Sequence, residues 1–253
     1  TSSITVNGQY SPTPVVANAS DSGNGGSSVI GKYQINVGLD TSVLGTGWGA
    51  GTWARGTWNS AASVDLITDT LRIWTHDNFG ENLLINVMNG GIYYWQPSGG
   101  LTNNPAVAIS SLAGANQAPT IATKVIVSDV DRHVIAFGCD PGTNIGTQDP
   151  LLIRFSDQEN ITDWNSTADN SAGSLSIGSG SKIVTAIETR QQILVFTDIS
   201  LHALQYVGPP FTFGINMISD NITIRGPSSV AAVQDTVYWM GKSEFYIYNG
   251  GVQ

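Results

Sequence analysis

The sequence predicts an all-β protein: a β-propeller-like array of antiparallel blades led by an irregular Gly/Trp-rich N-terminal segment. Three observations predict it. From residue 71 onward, short runs of Ile, Val, Thr, Tyr, Phe and Trp are bounded by Gly, Asn, Asp and Pro, the pattern of strands and tight turns, and no stretch keeps a helical period. The charged fraction is 11%, under half of the roughly 25% usual for soluble domains. The apolar fraction of 41% is ordinary, so turn-forming and sheet-surface Gly, Ser, Thr and Asn carry the polar share, which argues against disorder. Finally, one unit recurs: an apolar strand, a polar turn and a second strand.

The elements follow in order. Residues 1–28 contain Ser11-Pro12-Thr13-Pro14 and Ser22-Gly23-Asn24-Gly25-Gly26-Ser27-Ser28, a composition that buries too little apolar surface to fix one conformation and reads as an arm or linker. Residues 43–60 set Trp48, Trp53 and Trp58 among Gly45, Gly47, Gly49, Gly51 and Gly56. Backbone freedom there lets large rings approach one another, and the three tryptophans are candidate subunit-interface anchors, with a cap on the chain's own core as the alternative. Residues 1–70 thus form one region and 71–253 a second.

In the second region the repeat is Leu83–Val87 then Ile92–Trp95, Val134–Phe137 then Leu151–Phe155, Ile193–Phe196 then Leu201–Tyr206, and Val237–Met240 then Phe245–Tyr248. The units start 51, 59 and 44 residues apart, close to the roughly 40–50 residues of a propeller blade. A lone hairpin leaves both faces in water, whereas stacked blades bury them. A large β-sandwich accounts for the strands but not for their spacing. The sequence opens at Thr1 and stops just after a strand-like run, which suggests a segment of a longer chain.

Ten basic against nineteen acidic residues give a net charge of −9. Gripping a phosphate backbone takes clustered Lys and Arg, so a tight DNA binder is excluded. A wall past which DNA slides is not, because like charges repel. No run approaches the roughly 18 apolar residues of a membrane span, and no signal segment opens the chain. The single Cys139 allows no internal disulfide and reads as a core residue.

Catalytic and cofactor signals are thin. His76, His133 and His202 fall in three different units, none beside a Gly-x-Ser-x-Gly elbow or in a zinc-binding helical spacing. Gly45–Gly51 is glycine-rich but lacks the Lys-Ser/Thr that follows in a nucleotide loop. Asp129-Val130-Asp131-Arg132 reads as a turn whose carboxylates accept backbone amides and meet Arg132, with calcium as the lesser alternative. The expectation is no catalysis, no cofactor and no metal.

Ser156–Trp164 is more specific. Asp157 and Asn160 are placed to bond their own turn, and Trp164 to pack onto the blade, a structural role similar to the Asp-box turns of some sialidase propellers.

Arg72–Leu83, Gly90–Trp95, Val127–Gly138, Asp149–Asn160 and Tyr206–Gly214 also carry a family likeness. Across about residues 71–253 the chain resembles bacteriophage tail structural proteins, and within them the nozzle, or tail tubular protein B, of short-tailed phages. That resemblance implies a propeller-based subunit of a hexameric ring below the adaptor. The ring's lumen surrounds viral DNA without sequence-specific binding, retains it and releases it, and its outside meets adaptor or portal-associated proteins and tail fibres. It also implies a location in the virion tail, after assembly in the host cytoplasm. The chain departs from that family in being short, and no gate loop is identifiable in it. The alternatives are a glycan-binding or glycan-cleaving propeller, suggested by the Trp and Tyr content, and a capsid decoration protein.

Overall fold

A computed structural model describes Thr5–Val6, Val15–Val16 and residues 73–100, 104–129 and 131–253. Two compact units divide the chain, Thr1–Leu71 and Arg72–Gln253. In the first, β1 (Thr5–Val6) pairs antiparallel with β2 (Val15–Val16), so the arm contains one short ladder that its composition does not announce. Trp48, Trp53 and Trp58 lie outside the described residues.

The second unit is all-β, a series of antiparallel meanders in which each strand pairs with its neighbour in sequence. Blade one is β3 (Trp74–Phe79), β4 (Asn82–Val87), β5 (Ile92–Trp95) and β6 (Val107–Ala108). Blade two is β7 (Ala122–Val127), β8 (Val134–Cys139), β9 (Leu152–Phe155) and β10 (Gly173–Ser176). Blade three is β11 (Ile183–Glu188), β12 (Ile193–Thr197), β13 (Leu201–Gly208) and β14 (Thr212–Ser219). Blade four is β15 (Val230–Val233), β16 (Thr236–Met240) and β17 (Phe245–Tyr248), beyond which Gln253 exchanges two backbone hydrogen bonds with Ile247. The strand pairs singled out from the sequence are the second and third strands of the four blades.

Strand alternation explains the stacking, since successive side chains point to opposite faces. On β7 and β8, Val125, Val127, Val134 and Ala136 join Leu84 and Ile92 of blade one in one core. The intervening Ile126, Ile135 and Phe137 join Ile183, Ile193 and Val195 of blade three in a second. Leu194, Phe196, Leu201 and Ala203 point the other way, into a third core with Val237, Trp239 and Tyr248 of blade four. Each interior blade is therefore apolar on both faces, which is why β8 and β12 are buried along their whole length. The stack is open, and the strands of blades one and four do not pack on one another.

One glycine is required in the middle of this arrangement. Gly138, on β8, has φ +56°, and a Cβ there would sit 2.6 Å from Thr123 Oγ1 and 3.3 Å from the Pro150 carbonyl. Cys139 beside it is fully buried, and burial pushes its thiol pKa up to about 12.

Candidate functional site

The turn after β9 is held at both ends and from beneath. Asn160 Oδ1 accepts from Thr162 N–H at 2.9 Å and from the Thr162 hydroxyl at 2.7 Å, an Asx turn closed within its own residues. Asp157 reaches further than the sequence suggests: its Oδ1 accepts from Ser171 N–H at 2.9 Å and the Ser171 hydroxyl at 2.7 Å. Those bonds tie the start of the loop to its end, just before β10. Partial burial works to raise the Asp157 pKa, yet the Ser171 donors outweigh it and hold the carboxyl below its ordinary value.

Trp164 is 2% exposed and donates its Nε1–H to the Ile161 carbonyl at 2.8 Å. Arg154, on β9, lies beneath with its guanidinium carbon 5.8 Å from the indole centroid. It donates to the carbonyls of Gln117 (2.7 Å), Asp140 (3.0 Å) and Trp164 (3.2 Å). The Asp140 carboxylate in turn accepts from Thr120 N–H, the Thr120 hydroxyl, Ile121 N–H and Gly146 N–H. Apart from Gly146, six residues from Asp140, the partners of Arg154 and Asp140 lie ten or more residues away, so no local signal marks them.

A second feature emerges only from the topology. In the three four-stranded blades the first-to-second and third-to-fourth connections turn at the same end, as does the first hairpin of blade four, and side-chain to backbone bonds join these ends between neighbouring blades. Asp77 accepts from Val127 N–H at 2.8 Å, and Glu188 from Asp129 N–H at 3.0 Å. That end collects Glu81, Asp129, Asp131, Asp157, Glu159, Asp163, Asp169, Glu188 and Asp235 on its turns, against Arg132 and Arg190. Arg132 pairs with Glu159 at 3.5 Å, across exposed side chains, and lies over the Phe79 ring. The sequence reading paired Arg132 with Asp129 and Asp131 instead; its left-handed φ of 54° turns the chain toward the loop after β9, where Glu159 N–H donates to the Arg132 carbonyl at 3.1 Å.

The density of like charge is felt at Glu188. Its pKa is raised to about 7 by burial first, and then by Asp129, Asp77 and Asp131 acting against its own bond to Asp129 N–H. Two clefts lie on this rim: about 470 Å³ beside Phe79, Glu81, Pro97 and Arg132, and about 430 Å³ between Asp129, Glu188, Arg190 and Gln234.

Of the three histidines, His133 and His202 are buried and His76 lies on an exposed position of β3. The structure brings Ser200 Oγ within 2.9 Å of His202 Nε2, a pairing not noticed in the sequence. Ser200 is fully enclosed and also bonds Thr197 Oγ1 at 2.6 Å, so its hydroxyl is occupied within the blade. Burial lowers the His202 pKa, so the imidazole is neutral at pH 7. Among the described residues, no three His, Cys, Asp or Glu side chains are grouped so as to hold a metal ion. No helix of the described residues is long and apolar enough to cross a membrane.

Among the described residues the outer face of blade four is apolar, and that of blade one sets exposed His76 and Asn78 beside Trp74. On blade four, Val233, Tyr238, Met240 and Phe245 are exposed, Phe245 at 79%, and belong to none of the three cores. On blade one, Trp74 is 38% exposed and pairs across the sheet with Val87, while Ile85 lies between His76 and Tyr93.

No family profile and no curated protein sequence matches the chain. Among solved structures it is similar to Hsv2 of Kluyvelomyces marxianus, with a TM-score of 0.38 and 8% identity over 69% of this chain. The chain spans 46% of that protein's length. Neither figure transfers a function, and the architecture rests on the sheets themselves.

Proposed function

We propose that the chain is a structural protein of a phage tail, a subunit of a nozzle ring through which viral DNA passes without being gripped. The observation that carries this reading is the acidic rim. A conduit wall has to repel duplex DNA weakly and offer no cationic comb, because each phosphate neutralised by Lys or Arg releases counterions and adds affinity. Three of the seven described cations are engaged within the fold, while Lys182, Arg190, Arg225 and Lys242 are exposed. Arg154 is buried on backbone carbonyls, Lys124 donates to the Thr185 hydroxyl and the Ala186 carbonyl, and Arg132 faces Glu159.

Further support comes from the likeness of residues 71–253 to tail nozzles and from a stack of blades stiffened by three apolar cores. In this reading the ring is hexameric, docks on the adaptor and receives fibres on its outside. It has no catalytic or cofactor chemistry.

Native mass spectrometry of the chain, alone and mixed with an adaptor ring, tests the proposal. An annular species, six copies by expectation, supports it. A persistent monomer that ignores the adaptor overturns it and turns attention to a glycan array.

A further inference from the structure

Blades two and three are tied together at their acidic end by charged side chains that run in both directions. From β7, Lys124 Nζ crosses to blade three, where it donates to the Thr185 hydroxyl at 3.3 Å and to the Ala186 carbonyl at 2.6 Å. Two residues further along β11, Glu188 reaches back, and its Oε1 accepts from Asp129 N–H at 3.0 Å. Blade one adds Asp77, which accepts from Val127 N–H at 2.8 Å. Two amides of blade two, two residues apart, are thus held by carboxylates from two different blades.

The carboxylates that fasten this junction also oppose one another. Three acids act on Glu188: Asp129 and Asp131 from the β7–β8 turn, and Asp77 from β3. The β11–β12 turn brings exposed Arg190, and the β15–β16 turn brings Gln234 and, beside it, Asp235; Arg190 and Gln234 line the cleft of about 430 Å³ with Asp129 and Glu188. Lys124 is occupied by its blade-three acceptors and feels the attraction of Asp77. Among the described residues Glu188 forms no ion pair.

We infer that Glu188 is a proton-operated latch between blades two and three: as the neutral acid it closes the junction on the Asp129 amide, and once ionised beside three other carboxylates it lets the facing ends of β7 and β11 separate. Ionisation by itself strengthens a bond from an amide, so release has to come from the surroundings. Withdrawal from water and converging like charge both favour the neutral acid. Together they outweigh the single amide bond, burial being the larger cause, and hold the carboxyl at about 7. Separation relieves both, because it returns the carboxylate to water and moves it away from Asp129. The closed junction therefore keeps a proton that the open one gives up: the latch is fully set below the ordinary value of 4.5 and is lost as pH rises through about 7. It lies inside the blade stack and does not depend on the ring reading.

Hydrogen exchange of the full chain tests the latch, read at residues 126–129 and 186–189 with β8 and β12 as internal references. Glu188→Gln is compared at each pH so that the intrinsic exchange rate cancels; Gln keeps an oxygen for the Asp129 amide and never ionises. The two proteins are expected to exchange alike at pH 5, whereas at pH 8 the wild type should exchange about fivefold faster in those two segments alone. Asp129→Asn keeps the backbone donor and removes the strongest of the three repulsions, so it should shrink the pH 8 difference, measured against its own double variant with Glu188→Gln. Carbon-13 NMR of the Glu188 carboxyl in the wild type needs no variant and should give a midpoint close to 7.

Equal exchange of wild type and Glu188→Gln at pH 8 overturns the inference. So does a difference spread evenly over all blades, which would make Glu188 a contributor to global stability and not a local latch. An undiminished difference in Asp129→Asn removes the opposing carboxylates as the driving force, and a carboxyl midpoint at the ordinary value removes the proton.

Discussion

Replacing Arg154 by Met is expected to be among the most damaging single changes to the blade stack. The guanidinium is 4% exposed and donates to three backbone carbonyls, from Gln117, Asp140 and Trp164, which lie on separate segments around blade two. Hydrogen bonds to a charged group contribute about 1.5–3 kcal/mol each. One nitrogen serves two of these bonds, and the ion's own desolvation offsets part of the gain.

Met fills similar space but strands three carbonyls in a buried site, so the expected loss is about 3–5 kcal/mol. That is a large share of the about 5–15 kcal/mol by which domains are stable. Arg154→Lys keeps the charge but gives up the planar fork, and should lose roughly half as much. Urea unfolding followed by tryptophan fluorescence measures both, with the slope against urea serving as the control for cooperativity. A loss under about 1 kcal/mol for Arg154→Met would refute the reasoning, since water would then be satisfying the carbonyls. A double-mutant cycle with Trp164→Phe isolates the stacking seen at 5.8 Å. It should return a coupling of about 1 kcal/mol, and strict additivity would remove the cation–π contribution from the account.

Three further outcomes are expected. Glu188 has its folded pKa raised to about 7 from an ordinary 4.5, so the native state holds the extra proton between those values and stability falls as pH rises through that window. Because the group is partly exposed, about 1 kcal/mol is expected. Glu188→Gln should narrow the gap between melting temperatures at pH 5 and pH 8, and an unchanged gap would discard the assignment. Gly138→Ala places a Cβ 2.6 Å from Thr123 Oγ1 at φ +56° and should cost about 2 kcal/mol in thermal unfolding; a neutral result would mean that β8 relaxes freely. In native-state hydrogen exchange, the amides of β8 and β12 should be the slowest and those of β3 and β15 faster, because only the interior strands are covered on both faces. Equal protection across all blades would contradict this.

What the sequence makes legible is set by burial. The second and third strands of the interior blades face apolar neighbours on both sides, so Val134–Phe137 and Ile193–Phe196 read as unbroken apolar runs. Outer strands face less: β10 is Gly-Ser-Leu-Ser, β6 is two residues long, and β3 is polar at all four of its central positions, Thr75 to Asn78. None of these stands out from loop sequence, so four-stranded blades appear in the sequence as bare hairpins. The same distinction holds within the turn. Asn160 bonds Thr162 two residues away, a spacing visible in sequence, whereas Asp157 bonds Ser171 and Arg154 bonds Gln117 across distances that only the fold closes. Trp48, Trp53 and Trp58 lie outside the described residues.

The acidic rim illustrates how function resides in placement rather than composition. A net charge of −9 spread evenly over a surface would produce only a weak, screened field beyond about 8 Å at physiological salt. Up-and-down connectivity instead sends every first hairpin to one end of its blade, and aligned stacking brings those ends together. Acids separated by tens of residues, such as Asp77, Asp129 and Glu188, thereby come close enough to add to burial, the larger cause, in raising the Glu188 carboxyl pKa to about 7. Stacking also decides what is left exposed. The interior faces are matched by their neighbours, whereas among the described residues the outer face of blade four keeps Val233, Tyr238, Met240 and Phe245 exposed, and repeating structures call for a cap or a further unit at such a face. The tyrosine, methionine and phenylalanine on blade four are not polar caps. They continue the chemistry of the interior contacts, and this makes another blade a better complement to that face than water.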